Sequence, residues 1–443
     1  MAEPFDLLIR GGTLVNQNGI GPADVGVRDG RIAALGDLGR ADAARVIPAR
    51  GLHVLPGVID SQVHFREPGL EHKEDLASGT AAAAQGGVTG VFEMPNTTPP
   101  TTDAAALNDK LARAAGRAWV DYAFYLGATP ENADRLAELE RLPGAAGVKV
   151  FMGSSTGSLL VPDNAGLARV LAAGRRRVAV HSEDEARLQA RRPLATGGVH
   201  SHPVWRDVAT AVAATERLMR VARAAGRRVH VLHVTTADEI ALLARHKDLA
   251  TVEVTPQHLT LAAPEAYDEL GTLAQMNPPI RDARHRAALW AGVAAGIVDV
   301  IGSDHAPHTL DEKARPYPAS PSGMPGVQTL LPLLLDHVAA GRLSLARLVD
   351  LTSAGAARIF GLAAKGRVAV GYDGDLTLVD LGRRQQIVAT WLASKAGWSP
   401  FEGRTVTGWP VATIVRGHVV MRDGELGPAA VGAPIRFQET LSL

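Results

Sequence analysis

The chain has 443 residues, too many for one ordinary core, and its 46% hydrophobic and 21% charged composition excludes a largely disordered protein. Its 46 basic and 46 acidic side chains give a formal charge of zero, so neither nucleic acid nor a charged membrane surface is an expected partner. There is no cysteine, which excludes disulfides, thiolate nucleophiles and thiolate metal sites.

The opening MAEPFDLLIRGG lacks the basic-then-apolar pattern of a secretory signal, and no apolar run reaches the ~18 residues of a membrane helix. A soluble, cytoplasmic protein is expected. The first fifty residues read as short strands, DLLIRGGTLVN, ADVGVRDGRIAALG and ARVIPARGLHVLPG, with Gly-Gly and Asp-Gly at the turns. The same texture returns in GRVAVGYDGDLTLVDL and VATIVRGHVVMRDGEL. A small β-sandwich built from both chain ends, residues 1–54 and 363–443, is therefore predicted.

Between them, over 55–362, eight apolar runs alternate with Ala- and Arg-rich helical stretches. The runs are VLPGVID, GVFEMPN, DYAFYLGA, GVKVFMG, RVAVHSE, VHVLHVTT, TVEVTPQH and VDVIGSDHAP. Eight strand-helix units predict a (β/α)8 TIM-type barrel, and no Gly-rich dinucleotide fingerprint favours an open doubly wound sheet instead. The basic GRRR at 174–177 reads as a solvated helix end.

Polar residues stand at the C-terminal ends of these runs: His64, Asn96, Lys149, His181, His233 and Asp304. A lone histidine at a strand end is usually structural, and His230, His246, His285 and His305 are read that way. Barrel closure would bring the strand ends to one face, the face that carries active sites. Imidazole and carboxylate together suit Zn²⁺ or a similar divalent ion. Lys149 is the odd member, since an ammonium would be repelled by metal. A buried, neutral lysine could instead react with CO₂ to give an anionic carbamate able to bridge two ions.

VIDSQVHFREPG, FEMPNT, AVHSED, LHVTTAD, MNPPIR and GSDHAPHT resemble, in this order, the motifs of the amidohydrolase superfamily and within it the dihydroorotases. The resemblance implies metal-dependent, reversible cyclisation of N-carbamoyl-L-aspartate to L-dihydroorotate. It implies His64, His181 and His233 as ligands of one or two Zn²⁺ ions and a carbamylated Lys149 between them. Asp304 would both touch metal and carry the proton. Arg66, Asn96 and His308 would hold the substrate carboxylate, with Asn277 against the ring. A homodimer is the family's habit.

One position departs from the pattern: Gln62 stands where the family has histidine, a weak or absent ligand. The half-site beside it should be weakened, while that of His181 and His233 stays intact. Gln257 also replaces a frequent histidine, but no metal role attaches to that position. The alternatives are a hydantoinase or allantoinase type of cyclic amidase, or a non-catalytic partner of aspartate carbamoyltransferase. The long segment HTLDEKARPYPASPSGMPG is expected to enclose substrate.

Overall fold

Eight parallel strands form the centre of the computed structural model, which describes residues 3–155 and 159–441. They are Val58–Val63, Val88–Glu93, Asp121–Gly127, Ala145–Phe151, Val178–His181, Val229–Val231, Ala250–Val254 and Val300–Ile301, paired in that order. The His64 amide donates to the His305 carbonyl at 2.7 Å and Val63 bridges His305, which joins the eighth strand back to the first. This is the (β/α)8 barrel the alternating runs predict.

Strands buried on both faces need apolar side chains in both directions. Val178 and Val180 face the helical layer, while Ala179 belongs to the barrel interior with Ile59, Phe92, Tyr125 and Val300. That alternation of two carries the argument to function. His181 follows the parity of Ala179, and Lys149 lies between outward-facing Val148 and Val150. Both polar side chains therefore enter the barrel.

Helices such as Leu76–Gln85, Ala104–Ala114, Val208–Ala225 and Ala283–Ala294 cover the outside. These four begin at Asp75, Asp103, Asp207 and Asp282, whose carboxylates accept backbone amides of the first turn. Each such cap contributes about 1 kcal/mol.

The strands outside the barrel form two sheets. One orders Arg31–Gly36, Asp24–Arg28, Phe5–Arg10 and Ala43–Pro48. The other holds seven strands, with His53–Pro56 pairing Thr13–Asn16 on one side and Leu376–Gln386 on the other. Leu7, Ile9, Val25 and Ile47 pack against Val54, Leu376, Leu378 and Ile414 between them, as in a sandwich drawn from both chain ends. Gly57 links this sheet to the first barrel strand. A Cβ there would lie 2.1 Å from Thr89 Oγ1, so only glycine fits the junction.

Beyond Leu426 the chain leaves the sandwich and passes under the barrel. The Ile435 amide donates to the Tyr122 carbonyl at 2.8 Å, and Ile435 and Phe437 pack with Phe92 and Phe360. The lower end of the barrel is thus filled with side chains, and the polar residues collect at the other. Among the described residues, no helix is long and apolar enough to cross a membrane.

Candidate active site

Gln62, His64, Arg66, Lys149, His181, His233, Asn277 and Asp304 line a single cleft at the C-terminal mouth of the barrel. Residues up to 242 positions apart meet there because they lie near the C-terminal ends of several barrel strands or in the loops beyond them. Three of them have left-handed backbones, Arg66 at φ 66°, His233 at 37° and Asp304 at 45°. Such conformations are costly for residues with a Cβ and persist where the surroundings enforce them. Near Asp304 the enforcing group is Asp60, whose Oδ1 accepts the Ser303 amide at 2.9 Å and the Gln62 amide at 3.2 Å. It ties the end of the first strand to the end of the eighth. Burial raises the Asp60 carboxyl to about 7, opposed by these hydrogen bonds with Ser303 and Gln62.

The cleft has two halves. In one, His181 Nδ1 and His233 Nε2 face each other at 3.1 Å. His181 Nε2 lies 2.9 Å from Glu183 Oε2, an acceptor, so Nε2 carries the hydrogen and the Nδ1 lone pair points at His233. Glu183 is in turn gripped by Arg206, whose Nε lies 3.2 and 3.1 Å from the two carboxylate oxygens and whose Nη2 also donates to Oε2. Burial alone would raise the Glu183 carboxyl, but Arg206 and His181 overcome it and hold it well below the usual carboxylate range. A carboxylate behind an imidazole fixes ring orientation and makes the inner nitrogen a better ligand. Burial lowers both His181 and His233, favouring the neutral rings that bind metal.

In the other half, His64 Nδ1 donates to Asn96 Oδ1 at 2.8 Å and its Nε2 lies 3.2 Å from Asp304 Oδ1. Gln62 Nε2 donates to that same Asp304 oxygen at 2.9 Å, while Gln62 Oε1 is buried with no hydrogen-bond partner. Lys149 shares the cleft with both halves, its Nζ 4.4 Å from the Phe151 ring centre. Burial pushes its ammonium down to about 7, against the pull of Asp304 and Glu253.

Do these residues fit a metal? Among the described residues, no three His, Asp or Glu side chains come together closely enough to hold an ion by themselves. His181 and His233 present two converging nitrogens, one short of the three protein ligands of a catalytic zinc site. Lys149, in the same cleft, is the group whose carbamate would add the third. That half fits an ion. The half with Gln62 presents an amide N–H to Asp304 rather than a lone pair to a cation, and fits one poorly.

The other expected residues divide. Arg66 is fully buried on the cleft wall, its Nε donating to the Pro307 carbonyl at 3.1 Å. Burial brings its guanidinium down to about 10, against Asp304 and Glu93, and it stays charged at neutral pH. Asn277 lines the cleft, with Oδ1 accepting from His202 Nε2 at 3.0 Å. Asn96 and His308 stand one layer back. Asn96 orients His64, and His308 sits between Arg66, at 3.3 Å, and the Ser322 carbonyl, at 3.0 Å. Both are expected from sequence to touch the substrate carboxylate, but here each contacts another side chain because strand-end position does not specify depth.

Several contributors have no strong sequence signal. Glu183 lies within AVHSED, two residues after His181, but its partner Arg206 is 23 residues further on. Lys313 donates to the carbonyls of Gln275, Pro321 and Gly323 at 3.1, 2.9 and 3.0 Å. It pins the segment whose Ser322 and Gly323 line the cleft, so the loop predicted to enclose substrate forms a fixed wall. A Cβ on Gly323 (φ 138°) would lie 2.4 Å from the Ala306 carbonyl oxygen. His305, read as structural, accepts the Gly326 amide at 3.0 Å.

A closed barrel with neutral imidazoles, a carboxylate and a buried lysine at its C-terminal mouth defines a barrel hydrolase of the metal-assisted kind. The chain belongs to the amidohydrolase family, which it matches over residues 53–420. It is 37% identical over 435 residues to the dihydroorotase of Methanosarcina mazei, covering 94% of each chain. It is 38% identical over 450 residues to the allantoinase of Rubrobacter xylanophilus, covering 98% of each. Its fold superimposes on the L-hydantoinase of Arthrobacter aurescens with a TM-score of 0.92 and 32% identity, over 97% of this chain and 99% of that one.

Proposed function

We propose that this amidohydrolase acts on cyclic amides and is a dihydroorotase, interconverting L-dihydroorotate and N-carbamoyl-L-aspartate. The observation that carries the choice is Arg66. A guanidinium buried in the cleft wall near Asp304 is a fixed, charged fork of donors, and a ring bearing a carboxylate is the substrate that uses it. An uncharged hydantoin ring would offer those donors no anionic partner.

His181, His233 and Lys149 as its carbamate would hold Zn²⁺ or a similar divalent ion. Such an ion supplies a water made nucleophilic near neutral pH and polarises the carbonyl under attack. The chain's own residues do the rest. Glu183 and Arg206 keep His181 in the ligating tautomer. Asp304, with Oδ1 fixed by Gln62, takes the proton of the attacking water and returns it to the departing amide nitrogen. Arg66, braced by Pro307 and His308, orients the ring so that one carbonyl faces the nucleophile. Ser322 and Gly323 form the wall that limits water around the reacting centre.

The test is turnover of L-dihydroorotate, hydantoin and allantoin by the same zinc- and bicarbonate-treated preparation, with and without Arg66→Ala. Dihydroorotate turnover that Arg66→Ala lowers by about a thousandfold or more, the scale of losing a buried charge-paired contact, is the expected result. Allantoin or hydantoin turnover that survives Arg66→Ala would instead make the chain functionally like the relatives of those names.

A further inference from the structure

The residues around Asp304 carry a second conclusion, which rests on the metal-dependent reading above. We infer that Gln62 takes the place of an ion, so that the cleft holds one metal position, at His181 and His233, rather than two.

Asp304 Oδ1 already accepts a hydrogen bond from the Gln62 amide. Gln62 Nε2 donates to it at 2.9 Å and His64 Nε2 approaches it at 3.2 Å. A second ion shared by His64 and Asp304 would have to enter between these groups, where the Gln62 N–H would then face a cation. Turning the amide round would point Gln62 Oε1 at the ion's place but remove the hydrogen bond that Asp304 Oδ1 accepts. A neutral amide oxygen is also a poorer zinc ligand than the imidazole whose place it fills. The present orientation leaves Oε1 as a buried acceptor with no hydrogen-bond partner.

The other half differs in each respect. His181 and His233 converge nitrogen to nitrogen at 3.1 Å, with Glu183 and Arg206 supporting His181 from behind. Its two donors are imidazole nitrogens, that of His181 backed by a carboxylate, whereas in the Gln62 half an amide N–H already occupies Asp304 Oδ1. Gln62 therefore acts as a positioning residue. It holds the proton-carrying carboxylate where an ion would otherwise hold it.

The experiment measures zinc per chain. Full-length protein is stripped with a chelator, reloaded with excess Zn²⁺ and bicarbonate, desalted and analysed by inductively coupled plasma mass spectrometry. The wild type and Gln62→Met should retain one ion per chain, and Gln62→His two. Cobalt-loaded wild type should give the electron paramagnetic resonance signal of an isolated ion, which exchange coupling attenuates in Gln62→His. Gln62→Met should lower kcat about tenfold, the scale of one hydrogen bond to a charged group, with KM nearly unchanged. Two ions on the wild type would overturn the inference while leaving the dihydroorotase assignment standing. One ion on both the wild type and Gln62→His would show that Gln62 is not what excludes the second. An undiminished kcat in Gln62→Met would refute the positioning role. No zinc on any of the three would overturn the inference and the metal-dependent reading together.

Discussion

Replacing Glu183 with glutamine should weaken metal retention without unfolding the chain. The carboxylate is 0% exposed and serves two partners, His181 at 2.9 Å and Arg206 through both oxygens. Glutamine has the same length but only one acceptor. If its oxygen stays with His181, its NH₂ faces the Arg206 Nε, and a buried guanidinium loses its counter-charge. Removing one member of a buried ion pair costs about 3–5 kcal/mol, and the amide oxygen that still accepts should reduce this to about 2–3 kcal/mol. The functional effect runs through His181. Loss of a carboxylate behind a ligating imidazole weakens metal affinity by about 10–100-fold, or about 1.4–2.8 kcal/mol. Competition with a zinc-selective chelator would measure this, with far-UV circular dichroism verifying that the variant remains folded. Glu183→Gln that is folded and binds zinc as tightly as the wild type would refute the claim that this carboxylate prepares His181 for metal.

Three further outcomes are expected. Chelator-treated enzyme should regain activity with Zn²⁺ plus bicarbonate but poorly with Zn²⁺ in CO₂-depleted buffer, and equal recovery in both would count against a carbamate on Lys149. Lys313→Met strands three backbone carbonyls, each costing about 1–3 kcal/mol when left unpaired. It should raise KM and speed proteolytic cleavage within residues 314–323, and limited proteolysis with mass spectrometry reads this directly. Asp207 caps the helix Val208–Ala225 and pairs with Arg187. Burial opposes the shift, but these contacts hold its carboxyl at about 2, below the ~3.9 of an unfolded chain. Its stabilisation is therefore full above pH ~4 and lost as pH falls through about 2. Asp207→Ala should remove about 1 kcal/mol at pH 7 and almost nothing near pH 2, as compared by urea unfolding at the two pH values.

The barrel was legible because its strands are short β-branched and alanine runs that end in polar residues. The same period of two that buries Ala179 turns His181 inward, so in the fold one alternation places both the strand and its site residue. What could not be read is depth. Asn96 and His308 follow strands as His64 and Asp304 do, yet they stand behind other side chains. Glu183 was hidden for a different reason. Beside Asp184, which caps the helix Glu185–Arg191, it resembles the usual acidic start of a helix. The stretch VGAPIRF, which closes the barrel floor, has neither strand alternation nor helical spacing, and partners remote in sequence define its place, among them the Ala118 and Tyr122 carbonyls, the Asp121 carboxylate and the ring of Phe92. Gln62 shows the reverse case. Its departure from the family pattern was plain in sequence, but its bond to Asp304 required the fold.

The sandwich that joins early and late strands also sets an order of events for a chain leaving the ribosome. Asn16 and Val368 exchange two hydrogen bonds across 352 residues of chain, and His53–Pro56 has Leu376–Gln386 as its neighbour in the sheet. At roughly 5–20 residues per second, synthesis leaves the early strand with an open edge for tens of seconds. An open edge is a template for wrong partners, including the same strand of a neighbouring nascent chain. Recombinant yield should therefore depend more on crowding among nascent chains than on the stability of the finished molecule.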